Sequence, residues 1–458
     1  MAQEEQLAAR SAAERDETAA RARNNSRLAV TLRALRHRNF QLFFTGQLIS
    51  LIGTWMQTVA QSWLVYRMTG SSLLLGTVAF ASQIPIFLLA PLGGTVVDRV
   101  NRHRVVISTQ VSAMILAFIL AALTLTHRIT VWEIVVLASL LGVVNAFDIP
   151  GRQAFLVEMV GKEDLMNAIA LNSSMFNGAR VIGPAVAGVL VATIGEGWCF
   201  FANAVSYIAV IIGLLLMTIE RPLRFEYSGS PLEHVLEGFR FARNTAPIRT
   251  LLILIGMISL SAMPYTVLMP IFADKILHGG ARGLGLLMGA TGVGALCGAI
   301  ALAMRTEIRG LSRWISSAAA GFGASLILFA FSRVFWLSFL LLIPAGFSMM
   351  LQMSASNTLI QAMVPDRLRG RVMALYSMMF MGMAPIGSLL AGILAQKLGS
   401  PLTVMIGGLI CLIGAAYFAR RMPALRGEAR QLIIASGMYD GDPPDDLNAH
   451  TVSQTAQR

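Results

Sequence analysis

Five polar residues, Gln47, Ser50, Thr54, Gln57 and Gln61, interrupt an otherwise apolar stretch at intervals of three, four, three and four. That spacing places all five along one face of an α-helix. With no histidine or carboxylate among them, these amides and hydroxyls offer hydrogen bonding rather than covalent chemistry. Ser and Thr can satisfy their own helix backbone, and Gln can tie helices together. That reading covers Ser50 and Thr54. Each glutamine amide brings two donors and an acceptor that need partners in apolar surroundings. The sharper reading is therefore a helix that lines a water-accessible cavity and meets a solute through its amides.

Other residues of the same kind follow. Asn145 and Asp148 add polar groups, with Arg152 four residues on in NAFDIPGR. Pro150 between the last two is expected to end or bend the helix and to weaken their pairing. Ser348, Gln352 and Ser356, spaced by four, repeat the stripe less fully. Arg180 is a permanent cation inside an apolar run, which costs at least about 2.5–3.5 kcal/mol at a bilayer centre. It must meet an anion or water, either in a structural ion pair or by attracting an anionic substrate or controlling a neighbour's protonation. Gly183, with Gly178, Ala187 and Gly188, permits close helix approach, and Pro184 permits a bend. The six histidines, at 37, 103, 127, 234, 278 and 450, lack ligand spacing. Cys199, Cys297 and Cys411 are far apart in apolar runs, and no G-x-x-x-x-G-K-[ST] loop occurs. The expectation is no catalytic residue, no metal and no cofactor.

Of the 458 residues, 55% are hydrophobic and 13% charged, about half the charge of an ordinary soluble domain. Apolar runs long enough to cross a hydrocarbon core of about 30 Å recur at 40–66, 72–97, 105–126, 131–150, 165–194, 198–219, 249–274, 284–304, 314–332, 335–360, 371–396 and 402–419. Without period-two alternation, these twelve spans read as helices, not barrel strands. With both ends placed in the cytoplasm, 29 of the 36 Lys and Arg fall on the inner side and six on the outer, Arg180 being the remaining one. The net charge of +12 is thus a topology signal, and a nucleic-acid partner is not implied.

The chain also repeats itself. ALNSSMFNGARVIGPAVAGVL (170–190) lies over ALYSMMFMGMAPIGSLLAGIL (374–394) at an offset of 204, and twelve positions are identical across 167–195. Spans 5 and 11 are therefore the same element in two halves. The organisation expected is an all-α membrane protein: a cytoplasmic tail 1–39, a six-helix half 40–219, a cytoplasmic linker 220–248, a second six-helix half 249–421 and a cytoplasmic tail 422–458. Two halves of like orientation describe a parallel-repeat transporter with its substrate site near the bilayer midplane.

GGTVVDRVNRHR (93–104) resembles the signature of the major facilitator superfamily, G-x-x-x-D-R-x-x-R-[RK], in Gly94, Asp98, Arg99, Arg102 and His103. GARVIGPAVAG (178–188) is similar to a helix 5 motif of antiporters of that superfamily. RNFQLFFTGQLISLIGTWMQ (38–57), NAFDIPGRQAF (145–155) and VPDRLRGRVMAL (364–375) resemble the branch that holds the enterobactin exporter and macrolide-efflux proteins. The resemblance implies a major facilitator fold, with Asp98 as a gate latch facing the N-terminal end of span 11. It also implies that the segment after Asp98 packs near the end of span 4, offering Arg102 as partner to Asp148. Asp148 would then act as a switch, ionised beside Arg102 in one state and free to take a proton in the other.

What these readings imply together is a secondary transporter of a bacterial inner membrane that exports a small amphipathic or apolar compound, siderophore-like or drug-like, in exchange for protons. Its partners would be that small molecule, protons and membrane lipid. Uptake or lipid flipping by the same fold is the rival within transport; a scaffold or sensor that does not transport is the rival of another class. An enzyme is not expected.

Overall fold

The structure, a computed structural model, describes residues 33–218, 231–305 and 310–435; the side chains of 91, 98, 231–236, 366 and 435 also lie outside the described residues. Both expected tails and part of the expected linker therefore fall largely outside them. The described residues are helical, with no strand among them. We label the long helices α1 (Arg38–Thr69), α2 (Ser72–Arg99), α3 (Arg102–Leu125), α4 (Val131–Val160), α5 (Leu165–Ile194) and α6 (Glu196–Leu215). A linker helix, Pro231–Asn244, precedes α7 (Ala246–Ser261, prolonged by short turns to a π-helical turn Phe272–Ile276), α8 (Gly280–Ala303), α9 (Leu311–Phe331) and α10 (Phe335–Met363). The chain ends in α11 (Asp366–Ser377, a π-helical turn Met378–Gly382, then Met383–Leu398) and α12 (Ser400–Ala435).

Among the described residues, eleven helices are long and apolar enough to cross a membrane. The exception, α1, has 32 residues and ample length, but the glutamines of its polar stripe lower its hydropathy. Span positions otherwise follow the apolar runs, with two departures: α12, expected to end at 419, continues through Pro423 to Ala435 and into the expected tail, and α4 outruns its expected end. The fourth run was expected to stop at Pro150, yet α4 continues to Val160. Proline removes the hydrogen bond to the carbonyl four residues back, here Ala146. Gly93 of α2 packs directly on that carbonyl: a Cβ built on Gly93 would lie 2.1 Å from the Ala146 oxygen. Proline inside a membrane helix is tolerated, and the helix runs on past it to Val160.

By contacts the chain divides into two compact units, with breaks at Ala60/Gln61, Phe87/Leu88 and Phe225/Glu226. The first unit holds α1 up to Ala60, α2 from Leu88, and α3 to α6. Phe40, Phe43, Phe155 and Leu214 are almost wholly enclosed in its core, with Val106 and Val160. The second unit holds Gln61–Phe87, the linker helix and α7 to α12. In it Tyr66 donates to Asp274 Oδ2 (2.7 Å), Ser72 donates to the Gly392 carbonyl (3.0 Å), and Glu237 of the linker helix pairs with Arg367 (2.8 Å) and Arg371. The repeat is visible in backbone terms: the paired glycines Gly195 and Gly399 close α5 and α11 at φ of 90° and 85°, where only glycine is unstrained.

Candidate functional site

The described candidate residues with ionisable or hydrogen-bonding chemistry converge most densely in the first unit. Asp148, 3% exposed, sits on α4. Its Oδ2 is 2.7 Å from Arg152 Nε, and its Oδ1 accepts from Thr109 Oγ1 (2.8 Å) and Gln110 Nε2 (2.9 Å) of α3. Because α4 is unbroken at Pro150, Asp148 and Arg152 share a face at i and i+4 and do pair, contrary to the expectation from the proline. Arg102 is not the partner of Asp148. Its guanidinium pairs instead with Glu158 at 3.1 Å, both side chains buried, which corrects the pairing implied by resemblance. The extra turns of α4 beyond Pro150 bring Glu158 into reach.

The stripe on α1 is mostly enclosed. Gln47, Ser50 and Gln57 are buried, and Thr54 and Gln61 are half-buried. Gln57 Oε1 accepts from Asn203 Nδ2 of α6 at 2.7 Å, and Thr54 donates to the Ser50 carbonyl at 2.9 Å. Gln47 Oε1 is buried without a hydrogen-bond partner. Tyr207 of α6, buried, lies within electrostatic reach of Asp148 and Arg152. A chain of polar groups therefore runs from the stripe through α6 to the buried carboxylate. Asn145 is half-buried on the same helix as Asp148.

Arg180 is half-buried with its guanidinium 5.8 Å from the centre of the Trp55 ring, a cation–π distance. Gly183 and Pro184, both buried, follow it on α5. A Cβ on Gly183 would lie 2.4 Å from Trp55 Cβ, so this glycine permits the close α5–α1 contact that also presents the ring to Arg180. Of the signature residues, Gly94 is half-buried, Arg99 exposed and Arg102 buried. His103 Nε2 meets the Leu214 carbonyl at 2.8 Å, and the side chain of Asp98 lies outside the described residues. In the second unit Gln352 and Ser356 are buried and bonded to one another at 3.2 Å.

Sequence reasoning did not single out Thr109, Gln110, Glu158, Asn203 or Tyr207. A signal existed for some of them: Ser206 and Tyr207 follow Asn203 by three and four residues within an apolar run, a second polar face at helical spacing.

Comparison with known proteins decides the family. A family model described as "Transmembrane secretion effector" matches residues 29–441. The chain belongs to this family of major facilitator transporters. Among family relatives, it is 27% identical to a staphyloferrin A transporter of Staphylococcus aureus over 84% of this chain and 97% of that one. It is 28% identical to the multidrug efflux pump Tap of Mycolicibacterium fortuitum, covering 82% and 93%, and 25% identical to the enterobactin exporter EntS of Citrobacter koseri, covering 89% and 96%. Among solved structures, a bacterial homologue of the iron transporter ferroportin shares the fold with a TM-score of 0.66 at 18% identity, covering 84% of this chain and 98% of that one. The protein is a multi-pass membrane protein of a transporter family.

Proposed function

We propose that the protein is a secondary exporter of a small amphipathic or apolar compound, siderophore-like or drug-like, in a bacterial inner membrane, driven by exchange for protons. The observation that carries this reading is the pairing of buried Asp148 with half-buried Arg152, near the α6 residue Tyr207 and one turn from Asn203, which bonds Gln57 of the α1 stripe. A carboxylate and a guanidinium inside a membrane helix are costly and mark ion or proton pathways. A stripe of amides can recognise polar atoms on a ligand whose remainder is apolar. The relatives' names, a siderophore transporter, a siderophore exporter and a multidrug pump, support a small-molecule cargo of this kind. Both tails and the linker are placed on the cytoplasmic side, as the distribution of Lys and Arg requires. In this reading Gln61, Asn145 and Gln352 contact the substrate, Asp98 and Arg99 belong to the gate, and Asp148, Arg152 and Arg180 serve coupling; the protein performs no covalent catalysis.

The test is transport in proteoliposomes with a panel of catecholate and carboxylate siderophores and lipophilic cationic drugs, with and without an imposed proton gradient. Gradient-dependent movement of at least one compound, reduced by Asp148→Asn, is the expected result. Transport that ignores the gradient would remove the exchange mechanism, and inertness toward the whole panel would remove the cargo class.

A further inference from the structure

Helices α7 and α12 of the second unit run antiparallel against each other. A Cβ built on Gly407, early in α12, would lie 2.3 Å from the Ser261 carbonyl oxygen at the end of α7, and one built on Gly414 would lie 3.2 Å from Leu254 Cδ1, two turns nearer the start of α7. Both helices continue unbroken toward that end. Counted from the Gly407–Ser261 contact at about 1.5 Å per residue, Arg249 lies about 18 Å away on α7, and Arg420 and Arg421 lie about 20 Å away on α12. The three cations therefore stand at the same depth. They also share a flank. On α7, Ile253 precedes the seam residue Leu254 by one position, and Arg249 is one turn before Ile253 on the same face. On α12, Ile413 precedes the seam residue Gly414, and Tyr417 and Arg420 follow it at four and seven positions. Between antiparallel helices, the residue before a seam position falls on the same side of both. Ile253, Ile413 and Tyr417 are exposed, and so are all three arginines. An apolar track along the seam thus ends in three guanidinium groups.

We infer that this end of the α7–α12 seam binds an anionic phospholipid, its phosphate between Arg249 and the Arg420–Arg421 pair and an acyl chain along Ile253, Ile413 and Tyr417. Like charges gathered at one depth repel, and a phosphate set among them turns that repulsion into attraction; guanidinium groups suit phosphate through paired N–H donors. The nearby acidic residues are placed elsewhere. Glu237 of the linker helix pairs with Arg367 and Arg371, and Glu428 lies two turns beyond Arg421, about 10 Å further along α12. The first turn of α7 holds no acidic residue, so Arg249 adds to the positive end of that helix instead of offsetting it. Its Nη1 donates to the Arg243 carbonyl at 2.9 Å, which fixes the guanidinium at the helix start. The Arg421 guanidinium lies 5.7 Å from the centre of the Tyr417 ring, turned back toward the apolar track. Arginines that serve only to orient a chain in the membrane need no common depth or flank. The proposed topology puts this end at the inner face, where anionic lipids meet basic helix ends. A lipid is favoured over a soluble anion because the cations cap an apolar surface.

The test is native mass spectrometry of the purified full chain titrated in detergent with phosphatidylglycerol and phosphatidylcholine of matched acyl chains. Preferential retention of phosphatidylglycerol is the expected result. The triple variant Arg249→Gln, Arg420→Gln, Arg421→Gln should weaken its binding on the order of a hundredfold, at roughly fivefold per cation, and leave phosphatidylcholine unaffected. Lysine at all three positions keeps the charges and should keep the preference. Arg313→Gln, which removes an exposed cation from α9, should change nothing, and glycerol phosphate, a headgroup without chains, should not displace the lipid. Equal retention of the two lipids, or a glutamine triple variant that still prefers phosphatidylglycerol, would overturn the proposal. An equal loss in Arg313→Gln would reduce the effect to general surface charge, and displacement by glycerol phosphate would make the site one for a soluble anion; either result rejects the lipid site. If the triple variant does not purify, Arg421→Gln alone decides, with a loss of about fivefold expected and an unchanged affinity counting against the site. Transport is not measured, so the outcome is independent of the exchange mechanism and its cargo.

Discussion

Replacing Glu158 by glutamine tests the structural assignment most sharply, because it separates the Arg102–Glu158 pair from the Asp148–Arg152 pair. The two side chains of the former are 7% and 4% exposed, with Arg102 Nη1 3.1 Å from Glu158 Oε1 and 3.5 Å from the Ala154 carbonyl. At that separation the attraction is roughly 5 kcal/mol for an effective dielectric of about 20, and much of it is offset by desolvation of both ions. Removing one member of a buried ion pair costs up to about 3–5 kcal/mol. That is a large part of a typical stability of about 5–15 kcal/mol. Glu158→Gln takes the carboxylate away from a guanidinium that cannot shed its charge, whereas Arg102→Met leaves a carboxylate that can take up a proton. The glutamine variant should therefore be the more damaging single change at neutral pH. The double variant Arg102→Met/Glu158→Leu removes both ions and should recover most of the loss. The assay is thermal unfolding of the detergent-purified chain, arranged as a double-mutant cycle with Asp148→Asn as a third position. Coupling between positions 102 and 158 with near-additivity toward 148 is expected. Strong coupling of Arg102 to Asp148 and none to Glu158 would refute the assignment.

Gln57→Leu should lower stability by about 1–3 kcal/mol, since it strands the Asn203 amide, and adding Asn203→Leu should restore most of it; equal melting of single and double variants would dismiss that pair. A cysteine at half-buried Gln61 should react with a water-soluble thiol reagent while one at buried Val59 stays inert, and equal inertness would return Gln61 to helix packing. Gly294→Val should abolish folded protein in membrane extracts, because a Cβ there would lie 1.9 Å from the Ile343 carbonyl oxygen, whereas Gly178→Ala, with open space at its Cβ, should accumulate normally. Cysteines at positions 10, 235 and 440 should all be protected from impermeant reagents in intact cells, and labelling of position 235 from outside would reverse the proposed topology.

The sequence alone determined what lipid demands. A chain crossing hydrocarbon must satisfy its backbone internally over about 20 residues, so composition and run length located the helices and marked the class. The 204-residue offset between 170–190 and 374–394 exposed the duplication, and GGTVVDRVNRHR carried the superfamily. The polar stripe was legible as a face, because periodicity reports which residues share a side of one helix. Only the tertiary structure decided what that face meets. Gln57 bonds Asn203, 146 positions away, and Asp148 bonds Thr109 and Gln110, nearly forty positions back. Spacing within one helix carries no information about the partner helix, its rotation or its depth. Proline 150 shows the same limit from the other side. Locally it reads as a helix end, yet α4 continues through it to Val160, with Gly93 of another helix packed close on the Ala146 carbonyl. That continuation carries Glu158 to Arg102 and leaves Asp148 to Arg152, an allocation of charges that depends on distances between helices and so could be settled only by the packed fold.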